Sequence, residues 1–292
     1  MKTYQQVLCP VDFSESSLNA ARWGMEYAAL GQVPLVLVHS YGLLLQDAET
    51  AAAMYPEMLR ISEESLKSFL DRLQVPQEMD VKTWSTPLDL TQELRARCQE
   101  MPHLLVVMST KGAHGWTRYL LGSNAVSVLH SVDVPVLVIP ETCSWKVPGQ
   151  DSMKWMLAID PSDTFYELAI AWFKSMAGLL ESQICSGYVV VGTDRSVETE
   201  YFLQWASVHF PNQDPLMVVA ENPGSGINDL MLQSKADGLM MIARDKGWLR
   251  DLLRRHTTDE MVFMGRYPVL VVPERSAIFE NAPDPSGTGA AH

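Results

Sequence analysis

A repeat constrains this 292-residue chain more than any other feature. Pro135-Val136-Leu137-Val138-Ile139-Pro140-Glu141 returns near the end as Pro268-Val269-Leu270-Val271-Val272-Pro273-Glu274. Upstream of each copy stands Gly-Trp-x-Arg-x-Leu-Leu, at Gly115 to Leu121 and again at Gly247 to Leu253. At the head of each half an apolar run closes on a carboxylate and a hydroxyl, Val11-Asp12-Phe13-Ser14 and Ile159-Asp160-Pro161-Ser162. Three landmarks in the same order imply two copies of one unit. The expected division is 1–142 and 153–275, with a linker around Thr142 to Met153 and a disordered tail over 276–292, rich in Pro, Gly, Ala and Ser.

Within the first copy, short strands that are apolar throughout alternate with amphipathic segments. Gln6–Val11, Val33–His39, Leu104–Met108 and Val134–Ile139 read as buried strands, and Asp80–Ser85 as a weaker one. Helices are expected from Ser14 to about Leu30, around Leu59 to Leu73, from Leu88 to Glu100, and from Ser123 to Ser131. The hydroxyls of Ser14, Ser16 and Ser17 suit the free N–H groups of a first turn. In the second copy the strands are Trp155–Ile159, Ile184–Val191, Leu216–Ala220, Leu239–Ile242 and Pro268–Val272. Strands of this kind belong to parallel sheets covered on both faces. The right-handed crossover rule then gives α/β architecture: two tandem doubly wound domains, each a five-stranded, mainly parallel sheet with helices on both faces.

Bulk properties narrow the function. A 47% hydrophobic content fits a globular protein, and no apolar run approaches the length that spans a bilayer. The chain enters a strand-like run from Met1-Lys2-Thr3-Tyr4, which leaves no signal peptide and implies a cytoplasmic protein with no membrane partner. Cys9, Cys98, Cys143 and Cys185 lie far apart, against a zinc site or a disulfide framework. A formal net charge of −13 argues against nucleic acid as a partner. Any bound polyphosphate would then need local backbone donors or a metal ion.

Those donors are offered after Leu104–Met108. Ser109-Thr110-Lys111-Gly112-Ala113-His114-Gly115 leaves the strand, and Gly122-Ser123-Asn124 opens a helix. Glycines allow close approach of backbone to phosphate, and a helix start supplies free N–H groups and a positive dipole end. The plainer alternative is a turn at Gly112 and Gly115 and a simple helix cap at Gly122. The position at the carboxyl end of a central strand, where open α/β sheets hold ligands, favours the anion site.

These motifs resemble the universal stress protein family. Pro10-Val11-Asp12-Phe13-Ser14, Val38-His39 and the Gly112-x9-Gly122-Ser123 loop closing on Pro135-Val136-Leu137-Val138 carry the likeness, which covers nearly the whole chain as a tandem pair. In ATP-binding members the loop is Gly-x2-Gly-x9-Gly-Ser/Thr, whereas here Ser109 stands at the first glycine. The resemblance implies adenine and ribose beside Pro10, Asp12 and Ser40, and phosphates along Ser109, Thr110, Lys111, Gly112, Ala113, His114 and Gly115 and along Gly122, Ser123 and Asn124. ATP, with Mg2+ or Mn2+ bridging its phosphates, is the implied ligand, and the role is a nucleotide-dependent stress response. Asp12 can equally cap the following helix. Lys111 and His114 are either phosphate contacts or solvated side chains, and His39 is more often a satisfied buried imidazole than a catalyst.

No catalytic residue is assigned: the phosphate loop holds no carboxylate, and any ATP hydrolysis would be slow and incidental. In the second copy Arg254-Arg255 or Arg255-His256 falls where Gly122-Ser123 stands. Asp160 is kept without its glycine loop, so this copy is expected to be degenerate, a structural or regulatory mate. Members of the family commonly dimerise through the last strand. The two Pro-Val-Leu-Val strands can therefore satisfy each other as an intramolecular pseudo-dimer, with a homodimer of the chain as a further level. Competing functions are an interaction module that needs no nucleotide, with an unidentified protein partner, and an adenine-nucleotide enzyme, whose usual basic phosphate motifs are missing.

Overall fold

In a computed structural model, residues 3–42, 48–110, 122–150, 152–160, 166–192, 196–243, 265–274 and 276 are described, and the statements below concern these. The first half runs β1 (Gln6–Pro10), α1 (Glu15–Gly31), β2 (Leu35–Ser40), α2 (Ala48–Leu73), β3 (Val81–Thr86), α3 (Leu90–Glu100), β4 (Leu104–Ser109), α4 (Ser123–Ser131) and β5 (Val136–Ile139). The second runs β6 (Lys154–Ile159), α5 (Tyr166–Leu179), β7 (Gln183–Val191), α6 (Ser196–His209), β8 (Leu216–Ala220), α7 (Pro223–Ser234), β9 (Gly238–Ala243) and β10 (Val269–Pro273). Helix α1 begins as its serines demand: the Ser14 hydroxyl accepts the Ser17 N–H at 3.1 Å.

The strands form one ten-stranded sheet in the order β3-β2-β1-β4-β5-β10-β9-β6-β7-β8. Each half contributes five parallel strands in the same order, mirrored about the middle. The one antiparallel step is β5 against β10, with Val138, Leu137 and Val136 opposite Val269, Leu270 and Val271. The repeated Pro-Val-Leu-Val segments therefore pair with each other, and neither presents the open ladder that a terminal strand otherwise exposes.

Alternation along the strands sends side chains to two layers that both span the halves. One face buries Val7, Cys9, Leu137, Leu157, Leu270 and Val272 with residues of α1, α2, α5 and α6. The other buries Leu8, Val136, Val138, Met156, Val269 and Val271 with residues of α3, α4 and α7. Apolar burial stabilises by about 1.5–3 kcal/mol for each large aliphatic or aromatic side chain, so the sheet, not the boundary between repeats, divides the core.

The expected linker is packed rather than loose. Trp145 sits edge-on to Trp23 and Tyr27, with ring centroids 5.0 and 5.5 Å apart. Trp172 Nε1 donates to the Thr3 carbonyl at 2.9 Å, and the Cys143 thiol donates to the Arg266 carbonyl at 3.1 Å. Ser276, where the tail was expected to begin, is buried, and its hydroxyl donates to the Asp133 carbonyl at 2.9 Å. A hydroxyl with a carbonyl partner belongs to the fold, so the ordered chain reaches that residue; 277–292 lie outside the described residues. The four cysteines are free thiols, three of them buried.

Candidate functional site

The site is built where β1, β2 and β4 end side by side. β1 finishes at Pro10, paired with Val38, and the Val11 N–H continues the ladder to the Val38 carbonyl at 2.8 Å. Phe13 then takes a left-handed backbone, φ 66°, which turns the chain sharply into α1. Its ring lies 4.3 Å from that of His39 and 5.9 Å from that of Phe69, an aromatic floor under the turn.

Asp12 stands at this turn, half-buried, with Oδ1 accepting the Ser14 N–H at 3.1 Å and the Ser14 hydroxyl at 2.6 Å. The helix cap proper is Ser14, and Asp12 steadies that cap from two residues further out. One carboxylate oxygen thus serves the fold at the edge of the site. His39 Nδ1 lies 2.9 Å from the Val11 carbonyl, which makes it the donor nitrogen. Burial lowers the His39 pKa, with the Val11 contact and nearby Asp12 acting in the opposite sense. His39 is thus a partnered imidazole that ties β2 to the β1 turn.

Ser40 ends β2, and its hydroxyl donates to the Leu88 carbonyl at 2.6 Å, drawing the β3–α3 connection over the strand ends. Behind it lies a polar chain that starts from the buried Thr86 and Glu93. Thr86 Oγ1 donates to Glu93 Oε2 at 2.9 Å, and Arg97 Nε donates to Glu93 Oε1 at 2.6 Å. The Arg97 guanidinium lies over the Trp84 ring, 4.1 Å from its centroid. This network was not anticipated; its sequence signal was Glu93 and Arg97 four residues apart.

The segment expected to bind an anion has described ends and an undescribed middle. Ser109 closes β4 in register with Ile139, and the Thr110 N–H, on a buried residue, donates to the Ile139 carbonyl at 3.1 Å. The Thr110 carbonyl in turn accepts the Gly122 N–H at 2.6 Å, which brings the end of the strand against the start of α4. Lys111, Gly112, Ala113, His114 and Gly115 lie outside the described residues. Gly122 is the N-cap of α4 in an extended conformation, and it offers no side chain to the first turn. The caps of α1, α3 and α7, by contrast, are Ser14, Asp89 and Asn222, each accepting an N–H of its own first turn. Ser123 and Asn124 follow at the exposed start of α4. Ser109, at the family's first glycine, is an ordinary strand residue and not among those with positive φ. A serine meets that backbone requirement without strain.

The second half places Asp160 at the end of β6, as Asp12 follows β1. Arg254, Arg255 and His256, expected to fill the corresponding phosphate space, lie outside the described residues. Beside Asp160 there is a cavity of about 260 Å3 lined largely by aliphatic side chains, which sequence reasoning missed. The available signal was the run Val189-Val190-Val191, where the first half has Ser40-Tyr41-Gly42. Among the described residues no group of three or more His, Cys, Asp or Glu could hold a metal ion, and no helix is long and apolar enough to cross a membrane.

Comparison with known proteins fits this architecture. The model of the Universal stress protein family matches residues 3–140. Those residues belong to the universal stress protein family. A universal stress protein from Archaeoglobus fulgidus DSM 4304 is similar along both halves, with 18% identity over 93% of this chain and 98% of that one and a TM-score of 0.63. A Pseudomonas aeruginosa UCBPP-PA14 protein provisionally assigned to the same family is 16% identical, with 96% and 98% of the two chains covered and a TM-score of 0.63. A protein of unknown function from Pseudomonas aeruginosa PAO1 has 16% identity, the same coverage and a TM-score of 0.60. At these identities the solved structures establish a shared tandem fold. No curated protein matches the chain. The universal stress domain thus forms the β1–β5 side of the sheet, and β6–β10 repeat its topology.

Proposed function

We propose that the universal stress domain binds an adenine nucleotide, ATP foremost, and that occupancy changes how the chain meets a protein partner. The observation that carries this reading is the Thr110–Gly122 pinch. It sets the strand end against a helix start whose cap residue has no side chain, within a family-matched segment. Free N–H groups and a dipole end at that point suit a phosphate. The net charge of −13 repels anions at long range, so the affinity must come from such short-range donors.

Adenine and ribose would lie against Pro10, Asp12 and Ser40, and phosphates against Ser109, Thr110, Gly122, Ser123 and Asn124. Asp12 is the carboxylate at this position, and Oδ1 is already held by Ser14. A divalent ion such as Mg2+ would therefore enter with the nucleotide, held chiefly by phosphate oxygens. No residue is assigned as a hydrolytic base, and the proposed role is one of binding and regulation.

The test is direct. Denaturing the purified chain and separating what is released should yield an adenine nucleotide, and titration with ATP, ADP and AMP should give saturable binding. Gly122→Val places a branched side chain at the helix start and should weaken binding by at least ~100-fold, equivalent to about 2.8 kcal/mol. Equal affinity in the variant rejects the site. An empty chain that takes up no nucleotide leaves a nucleotide-independent interaction module as the function.

A further inference from the structure

The cavity in the second half sits at the carboxyl ends of β6 and β7, under the start of α7. Among the described residues, Ala158 and Ile159 from β6, Tyr188, Val189 and Val191 from β7, and Ile227 from α7 form its walls, and Asp160 and Pro223 also line it. The ladders show how it relates to the universal stress domain. Pro10 pairs with Val38 and Ala158 with Gly187, so Val189 occupies the place of Ser40 and Tyr188 that of His39. Counted from the caps Asp89 and Asn222, Ile227 falls where Leu94 does.

We infer that this cavity is a second ligand site, one that takes a small, neutral, predominantly apolar molecule instead of a nucleotide. Among the described residues its walls are mostly hydrocarbon, so an anion would lose its hydration and find few donors on them. An apolar molecule does not meet that cost and gains by leaving water. The size lies just below the usual range for small-molecule pockets, roughly 300–1,000 Å3, and suits a ligand of one to three fused or linked rings.

The walls are also stiff. A Cβ added at Gly187 would stand 2.7 Å from Met156 Sδ and 2.9 Å from Leu230 Cδ2. One added at Gly226 would collide with Val189 Cγ1. Helix α7 is therefore seated on β7 by backbone-close contact, and the cavity is held open beside a wall that cannot slide inward. A preformed apolar pocket binds without an ordering cost.

The full-length chain can be titrated with N-phenyl-1-naphthylamine, a neutral aromatic amine whose fluorescence rises in apolar surroundings. One saturable site per chain is expected. Ala158→Leu fills the cavity from β6, and Val191→Trp fills it from the partly exposed end of β7, where folding is least at risk. Each should weaken the dye by at least 10-fold while the far-ultraviolet circular dichroism stays unchanged. Saturating ATP should leave dye affinity within 2-fold. Non-saturable fluorescence overturns the inference, as does undiminished affinity in the folded variants. Stoichiometric displacement by ATP would place the dye in the universal stress domain and also overturn it. The variant arm is read without nucleotide, so it stands or falls separately from the ATP reading.

Discussion

Helices α3 and α7 occupy equivalent places in the two halves and meet the sheet by opposite means. In α3, Glu93 is buried between Thr86 and Arg97, and Arg97 reaches Trp84. Counted from the two caps, Glu93 corresponds to Gly226 and Arg97 to Leu230, while the ladders set Thr86 against Val218 and Trp84 against Leu216. A four-member polar chain in one half has become Gly, Leu, Val and Leu in the other. A salt bridge holds α3 by directional bonds; α7 is held by contact, because a glycine lets its backbone settle on Val189. One fold thus supports a polar rim at Ser40 and an aliphatic one at Val189.

The sharpest way to break this comparison is to exchange the two solutions. Gly226→Glu puts the α3 residue into α7, where its side chain meets Val189 and an aliphatic core without an arginine partner. Overpacking and an unpaired buried charge together should cost at least ~3 kcal/mol, read as a fall in the denaturant midpoint. Gly24→Ala, whose added Cβ finds its nearest neighbour at 3.4 Å, is the loose-glycine control and should stay within about 1 kcal/mol of the parent. A small effect at Gly226 would mean that α7 can lift off the sheet.

A smaller effect is expected from Arg97→Leu, which gives α3 the α7 residue. The Glu93 carboxylate, 9% exposed, would then be left with Thr86 alone. Removing one partner of a fully buried pair costs about 3–5 kcal/mol; Arg97 keeps 22% of its side chain exposed, so ~2 kcal/mol is expected. Adding Glu93→Leu to the same chain should recover most of that loss. Failure of the double variant to recover would show that the network sets the position of α3 and does not merely hold it.

The smallest effect is a dependence on pH shared between the halves. Burial lowers the pKa of His39 in the first half and, as the foremost cause, of His209 in the second. The unfolded chain accepts a proton near the ordinary imidazole value, about 6.5, that the folded chain resists. Their contribution to stability is therefore complete above about pH 6.5 and lost as pH falls through the folded values. Melting midpoints between about pH 7.5 and 5.5 should fall, and His39→Gln and His209→Gln should each flatten part of that slope. A slope unchanged by both would assign it to other groups that titrate in this range.

The fold was legible because most of the strands are apolar on both faces and bounded by punctuation. Val136–Ile139 and Val269–Pro273 announce themselves as core strands, and their mutual pairing follows from a shared need to cover an edge. Strand β3 was fainter because it is an edge strand, with Lys82, Thr83 and Trp84 exposed. Local helix signals were read well where a capping residue stands in sequence next to its helix, as at Ser14. The Glu93–Arg97–Trp84 chain and the cavity beside Val191 were not read, because each joins residues that only the sheet brings together. A run of valines predicts burial equally well whether the side chains meet a neighbour or an empty space.

The antiparallel seam between β5 and β10 has a consequence for composition. Two separate subunits joined through such strands could pair like with like, and a mixed population would hold every combination of their sites. Covalent continuity, with each half already occupying the other's edge, removes that choice. Every molecule carries one polar rim at Ser40 and one aliphatic cavity beside Val189, in a fixed one-to-one ratio that no change in concentration can alter.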